Sequence, residues 1–97
     1  MLNANDNKEE FYSRFFDQLS QSQSWPGIYF FKFIVKSDSD NLNKLKSIFS
    51  EKKTFFFKKK SSKNKFTSLS IKVKMNSPKE VIEIYKTCSK LKGVIAL

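Results

Sequence analysis

Apolar and polar positions follow two different periods along this chain, and each switch between them marks a new element. Over residues 7–21, Phe11, Phe15 and Leu19 recur every four positions with Tyr12 and Phe16 alongside. Lys8, Glu9, Asp17 and Gln18 take the other side. This spacing predicts an amphipathic helix. Asp6 or Asn7 is placed to cap it, and Glu9 and Glu10 lie near its positive end. The polar run Ser20–Ser24 reads as a linker and Trp25-Pro26-Gly27 as a turn. The period then changes to two. In Ile28–Lys36, Tyr29, Phe31, Phe33 and Val35 fall on one face, expected to meet the core. Ile28, Phe30, Lys32, Ile34 and Lys36 fall on the other.

Ser37–Asp40 offers several N-caps for a second helix over residues 41–52, with Leu42, Leu45, Ile48 and Phe49 as its apolar side. Thr54–Lys58 predicts a second strand whose parity stays open, because Phe55, Phe56 and Phe57 cannot share a face. A third strand, Phe66–Met75, alternates cleanly. Thr67, Leu69, Ile71, Val73 and Met75 point one way; Ser68, Ser70, Lys72 and Lys74 point the other. Ser77-Pro78-Lys79-Glu80 is a capping box with proline at the first helical position. The helix after it lines up Val81, Ile84, Tyr85, Cys88 and Leu91, flanked by Ile82, and Gly93 suits its left-handed exit. Val94–Leu97 reads as a short last strand.

A helix followed by β-α-β-β-α-β predicts an α+β fold: a ferredoxin-like sandwich, one antiparallel four-stranded sheet with two helices on one face. Residues 1–24 form the helix and linker, and residues 25–97 the domain. Lys59–Lys65 is then a hydrated hairpin connection whose charge discourages edge-to-edge pairing.

Ninety-seven residues suit one domain. The net charge is +10, but eighteen of the nineteen basic residues are lysine and only Arg14 is arginine. Dedicated phosphate readers favour the arginine fork, and a chain this rich in Lys, Phe, Asn, Ile and Ser matches AT-rich coding. The charge is therefore read first as compositional. One cysteine, Cys88, and no histidine leave no intramolecular disulfide, no structural zinc site and no Ser-His or Cys-His dyad. Cys88 lies on an apolar helical stripe and reads as a small core residue. The carboxylates are scattered, and Asp38 and Asp40 sit where a helix start wants capping oxygens. The expectation is a non-enzyme without metal or cofactor. Neither a signal peptide nor a membrane-spanning run is evident, so a cytoplasmic location is expected.

The stretches WPGIYFFKFIV (Trp25–Val35), FTSLSIKV (Phe66–Val73) and SPKEVIEIYKTCSKLKGVIAL (Ser77–Leu97) resemble the YbeD-like proteins, small bacterial proteins of unknown function with a fold similar to the ACT regulatory domain. The resemblance spans roughly Trp25–Leu97. It implies the fold and little biochemistry, since such proteins are described at most as lipoate-linked regulators. The chain is read as a small regulatory or protein-interaction module. ACT-like domains bind small ligands at the loop after the first strand, which would place a ligand at Asp38, Asp40 and Asn41. The loop here, KSDSD, has no glycine and two acids, a departure from that pattern.

Two binding readings follow from the residues. Phe30, Ile34 and Phe66, with Phe56 as a further candidate, would leave an apolar patch on the sheet face away from the helices. Either the N-terminal helix covers it with Phe11, Phe15 and Leu19, or a second copy or another protein does. The alternative is sequence-independent nucleic-acid binding through Lys58, Lys59, Lys60, Lys63, Lys65, Lys72 and Lys74. The third strand shows Ser68, Ser70, Lys72 and Lys74 outward, with no aromatic stacking platform and no glycine-aromatic signature, so base-specific RNA readout is not expected.

Overall fold

β1 (Gly27–Lys36) and β3 (Phe66–Met75) pair antiparallel over their whole length, from Gly27 opposite Met75 to Lys36 opposite Phe66. The rest of the molecule is arranged on this ladder. The structure, a computed structural model, describes residues 4–61 and 63–97. In chain order the elements are α1 (Ala4–Ser22), β1, α2 (Asn41–Ile48), β2 (Thr54–Lys60), β3, α3 (Pro78–Cys88) and β4 (Ile95–Ala96). β2 pairs antiparallel with β3 and β4 with β1, so the sheet runs β2-β3-β1-β4. This α+β arrangement is consistent with a ferredoxin-like fold, with α1 added in front.

The predicted alternation places the core. Phe31, Phe33, Leu69 and Ile71 are all fully buried, joined by Leu45 and Phe49 from the α2 end and by Val81, Ile82 and Cys88 from α3. Each such side chain stabilises the fold by about 1.5–3 kcal/mol relative to exposure. Phe31 is the hub: its ring centre lies 5.2 Å from that of Phe49 and 5.1 Å from that of Tyr85.

α3 starts as its sequence demands, with one displacement. The Ser77 hydroxyl accepts from the Glu80 N–H at 3.2 Å and Pro78 occupies the first turn. The Glu80 carboxylate, however, reaches back to the N–H of Asn76 at 3.1 Å instead of that of Ser77, and also accepts from Lys52 Nζ at 2.7 Å. α2 ends at Ile48, short of the predicted Lys52, and the chain turns instead, with the N–H of Lys52 donating to the Phe49 carbonyl. Neither Asp40 nor Asp38 gives α2 a side-chain cap. Asp40 stands at the cap position with no such bond, and its Oδ1 accepts from Asn43.

α1 departs most from expectation. It begins at Ala4, upstream of the predicted caps Asp6 and Asn7, and stays helical through Ser20–Ser22, where the sequence predicted linker. Serines can remain helical by bonding to carbonyls of the preceding turn. Ser20 Oγ donates to the Phe16 carbonyl and Ser22 Oγ to that of Leu19, both at 2.8 Å. The helix lies along α3: the Phe15 ring sits 5.4 Å from Tyr85, Lys86 Nζ stands 5.0 Å above the Tyr12 ring, and Leu19 is buried. Docking of α1 across the outer sheet face is thus corrected; the helix joins the helical layer, because its stripe finds apolar company there.

Candidate interaction surface

With all three helices on one side, the other face of the sheet is left to the remaining half of each strand's side chains. Register lays them out in rows. Phe55 on β2, Lys72 on β3 and Phe30 on β1 form one; Phe57, Ser70 and Lys32 the next; Lys59, Ser68, Ile34 and Ile95 a third. Phe30 and Phe55 are each 65% exposed and Phe57 is 59% exposed. Phe66, Ile28 and Ile95 are exposed on the same face. β2 therefore has the opposite parity to the one suggested for Phe56. That ring faces the helices opposite buried Ile71, beneath Lys46 Nζ at 5.7 Å.

Charge separates as sharply as hydropathy. The four strands carry seven lysines and no aspartate or glutamate; the chain's nine carboxylates all lie in helices and connections. Lys32, Lys36, Lys59, Lys72 and Lys74 share the outer face with the phenylalanines and are exposed. Small Ser68 and Ser70 form the floor between the β2 and β1 side chains.

The predicted site residues do not assemble as one group. Of the interface set, Phe30, Ile34 and Phe66 lie on the outer face, with Ile34 half-buried, whereas Phe15 and Leu19 are packed into the helical layer. Phe11 stays 54% exposed beside Tyr12 and Phe15. Of the seven lysines of the alternative, Lys59, Lys72 and Lys74 share that face; Lys58 and Lys60, opposite buried Leu69 and Thr67, take the other side of the edge strand, and Lys63 and Lys65 lie in the connection. The ligand loop is also divided. Asn41 Nδ2 donates to the Lys92 carbonyl at 2.8 Å, tying α2 to the exit of α3. Asp38 lines a shallow depression with Lys36, Asn64 and Lys65 that neither Asp40 nor Asn41 enters. Ile28, Lys32, Lys36, Phe55, Phe57 and Ile95 share this surface although sequence reasoning did not name them as site residues.

Elsewhere, a groove of about 670 Å³ between α1, α3 and the C-terminal strand is lined by Phe11, Phe15, Tyr29, Tyr85 and Leu97, with Arg14 among its polar residues. At its base the Tyr29 and Tyr85 hydroxyls share a hydrogen bond of 3.2 Å. Burial, followed by that bond, pushes the Tyr85 phenol well above its usual range. Burial also pushes the Cys88 thiol up to about 11, the opposite of an activated nucleophile. Among the described residues, no three His, Cys, Asp or Glu side chains are grouped to hold a metal ion. No helix there is long and apolar enough to cross a membrane.

Comparison with known proteins bears on the fold and the family. No curated protein matches the chain at a significant level. The structure is similar to the solution structure of protein HP0495 from H. pylori, with a TM-score of 0.61 at 21% sequence identity, covering 82% of this chain and 92% of that one. Residues 20–97, which span the whole sheet, α2 and α3, match the family described as "Protein of unknown function (DUF493)". The chain belongs to the DUF493 family, the one that the YbeD resemblance indicated.

Proposed function

We propose that this protein is a small non-enzymatic interaction module of the ACT-like, ferredoxin-like kind, and that its working surface is the open face of the sheet. One observation carries the reading. Phe30 on β1 and Phe55 and Phe57 on β2, each about 60% exposed, stand on one face of the sheet while the three helices of the described residues occupy the opposite side. Phe15, Phe49 and Tyr85 of the helical layer are packed, and Phe11 and Phe16 of α1 are more covered than Phe30, Phe55 and Phe57. Those three rings on the sheet face are the most exposed aromatics among the described residues, and exposed apolar patches rimmed by polar residues mark contact sites. A regulator acting through contacts with other macromolecules would use such a surface.

Site-specific photo-crosslinking in the native cell tests this. A photoreactive residue in place of Phe57 should give a discrete adduct, and one in place of exposed Lys90 on the helical side should not. Silence at both positions, or equal labelling at both, would reject the sheet face as the working surface.

A further inference from the structure

We infer that the partner of this face is single-stranded nucleic acid, held by stacking of bases on Phe30, Phe55 and Phe57 and by phosphate contacts from the lysines between and around them. The inference rests on the sheet face being the working surface, and adds the chemistry of what occupies it.

The geometry selects among occupants. Phe55 and Phe57 point the same way two residues apart, about 7 Å along β2. Phe30 lies two strands across, about 10 Å away. Lys72 stands between Phe55 and Phe30, and in the next row Ser70 lies between Phe57 and Lys32, its hydroxyl able to bond either as donor or as acceptor to a base edge. A partner helix laying down an apolar stripe would want an apolar floor. A second copy apposed face to face would set five lysines against five with no carboxylate on either side, an arrangement that like-charge repulsion opposes. A polyanion that also carries flat apolar rings satisfies both halves of the surface at once, as in proteins that hold single strands by aromatic stacking within a basic groove. The aromatics sit on β1 and β2 with β3 between them. The outward residues of β3 alone therefore did not reveal a platform.

Fluorescence anisotropy with the full chain provides the test, using a labelled fifteen-nucleotide oligo-dT, the matching duplex and an abasic strand of equal length and charge. The wild-type protein should bind oligo-dT at least tenfold more tightly than the abasic strand, and the duplex weakly. With about four phosphates engaged, log affinity should fall against log salt with a slope of about −2.8. Phe55→Ser and Phe30→Ser should each weaken oligo-dT binding about tenfold with the slope unchanged, and Phe55→Tyr should restore it. Lys72→Gln should instead make the slope shallower by about 0.7. Thermal melts confirm that the serine variants fold.

Equal affinity for the abasic strand would overturn the inference, as would serine variants that bind like wild type. So would a dimer, seen by sedimentation, that dissociates in the serine variants while no form binds oligo-dT. If oligonucleotide binding fails but position 57 still crosslinks to a protein in the cell, nucleic acid falls and the sheet-face reading stands. If position 57 is also silent, both fall.

Discussion

The indole Nε1 of Trp25 donates to the main-chain carbonyl of Leu19 at 2.9 Å. Carbonyls in the last turn of a helix lack a main-chain partner within it, and this one accepts both from the Ser22 hydroxyl and from the residue that opens the sheet domain. The Leu19 side chain meanwhile enters the core. One residue thus ties α1 to the domain through both its backbone and its side chain, and the following chain has only Gln23 to Pro26 in which to turn into β1.

Leu19→Ala should therefore lower the stability of the whole protein by about 2–4 kcal/mol, the usual range for a buried leucine. Urea titration followed by circular dichroism should show one transition shifted as a unit. A change below about 0.5 kcal/mol, the range of ordinary surface substitutions, would mean that α1 is an appendage and not part of the cooperative core.

The same turn makes Gly27 hard to replace. A Cβ there would stand 2.7 Å from the carbonyl oxygen of Ser24, a backbone atom, and 2.7 Å from Gln23 Nε2. Gly27→Ala is expected to destabilise by about 1–3 kcal/mol through overpacking, read as a lowered melting temperature. Gly93→Ala, at φ +80° in the exit from α3, should cost about 1 kcal/mol for the left-handed backbone alone.

The parity of β2 can be checked by substitution at neighbouring positions. Phe57→Ser on the open face should leave stability within about 0.5 kcal/mol of wild type. Phe56→Ser removes a ring packed against the core and should cost about 1–2 kcal/mol. Equal effects at the two sites would contradict the observed register.

These elements also show where the sequence was informative. The bounds of β3 and the inward faces of β1 and β3 followed from strict alternation, since Phe31, Phe33, Leu69 and Ile71 each face the core. The start of α3 followed from Ser77 and Pro78. β2 resisted because three consecutive phenylalanines carry no period. Its parity depends on where the hairpin closes; with Lys60 opposite Thr67 Phe56 turns inward, and a shift of one residue would turn it out. The docking of α1 resisted for another reason. An apolar stripe states that a helix must be covered but not by what, and its partner, Tyr85 on α3, lies some seventy positions away in sequence. The outer face was legible only in part, since Phe30 and Phe66 could be placed in advance but Phe55 and Phe57 could not.

Glu80 gives the fold a defined response to acid. Partial burial raises its pKa, but the hydrogen bonds from Lys52 and Asn76 outweigh this and hold the carboxyl below its ordinary 4.5. A carboxylate with a depressed folded-state pKa stabilises the fold at pH values above its unfolded pKa. That contribution is lost as pH falls below about 4.5 and through the lower folded value. Glu80→Gln should thus cost about 1 kcal/mol at pH 7 and less as the pH drops toward 3, so that the two proteins' stability curves converge in acid. Parallel curves over that interval would show that the ion pair with Lys52, at 2.7 Å, contributes nothing measurable.

β4 is only two residues long and meets β1 only at Phe33 and Ile34, with the N–H of Leu97 reaching the Lys32 carbonyl beyond them. β1 is consequently an inner strand only around Lys32–Ile34 and a rim before it, with no strand registered on that side of Gly27–Phe31 among the described residues. Any polypeptide joined after Leu97 would be aimed antiparallel along that rim, where main-chain donors and acceptors stand ready to zip onto it.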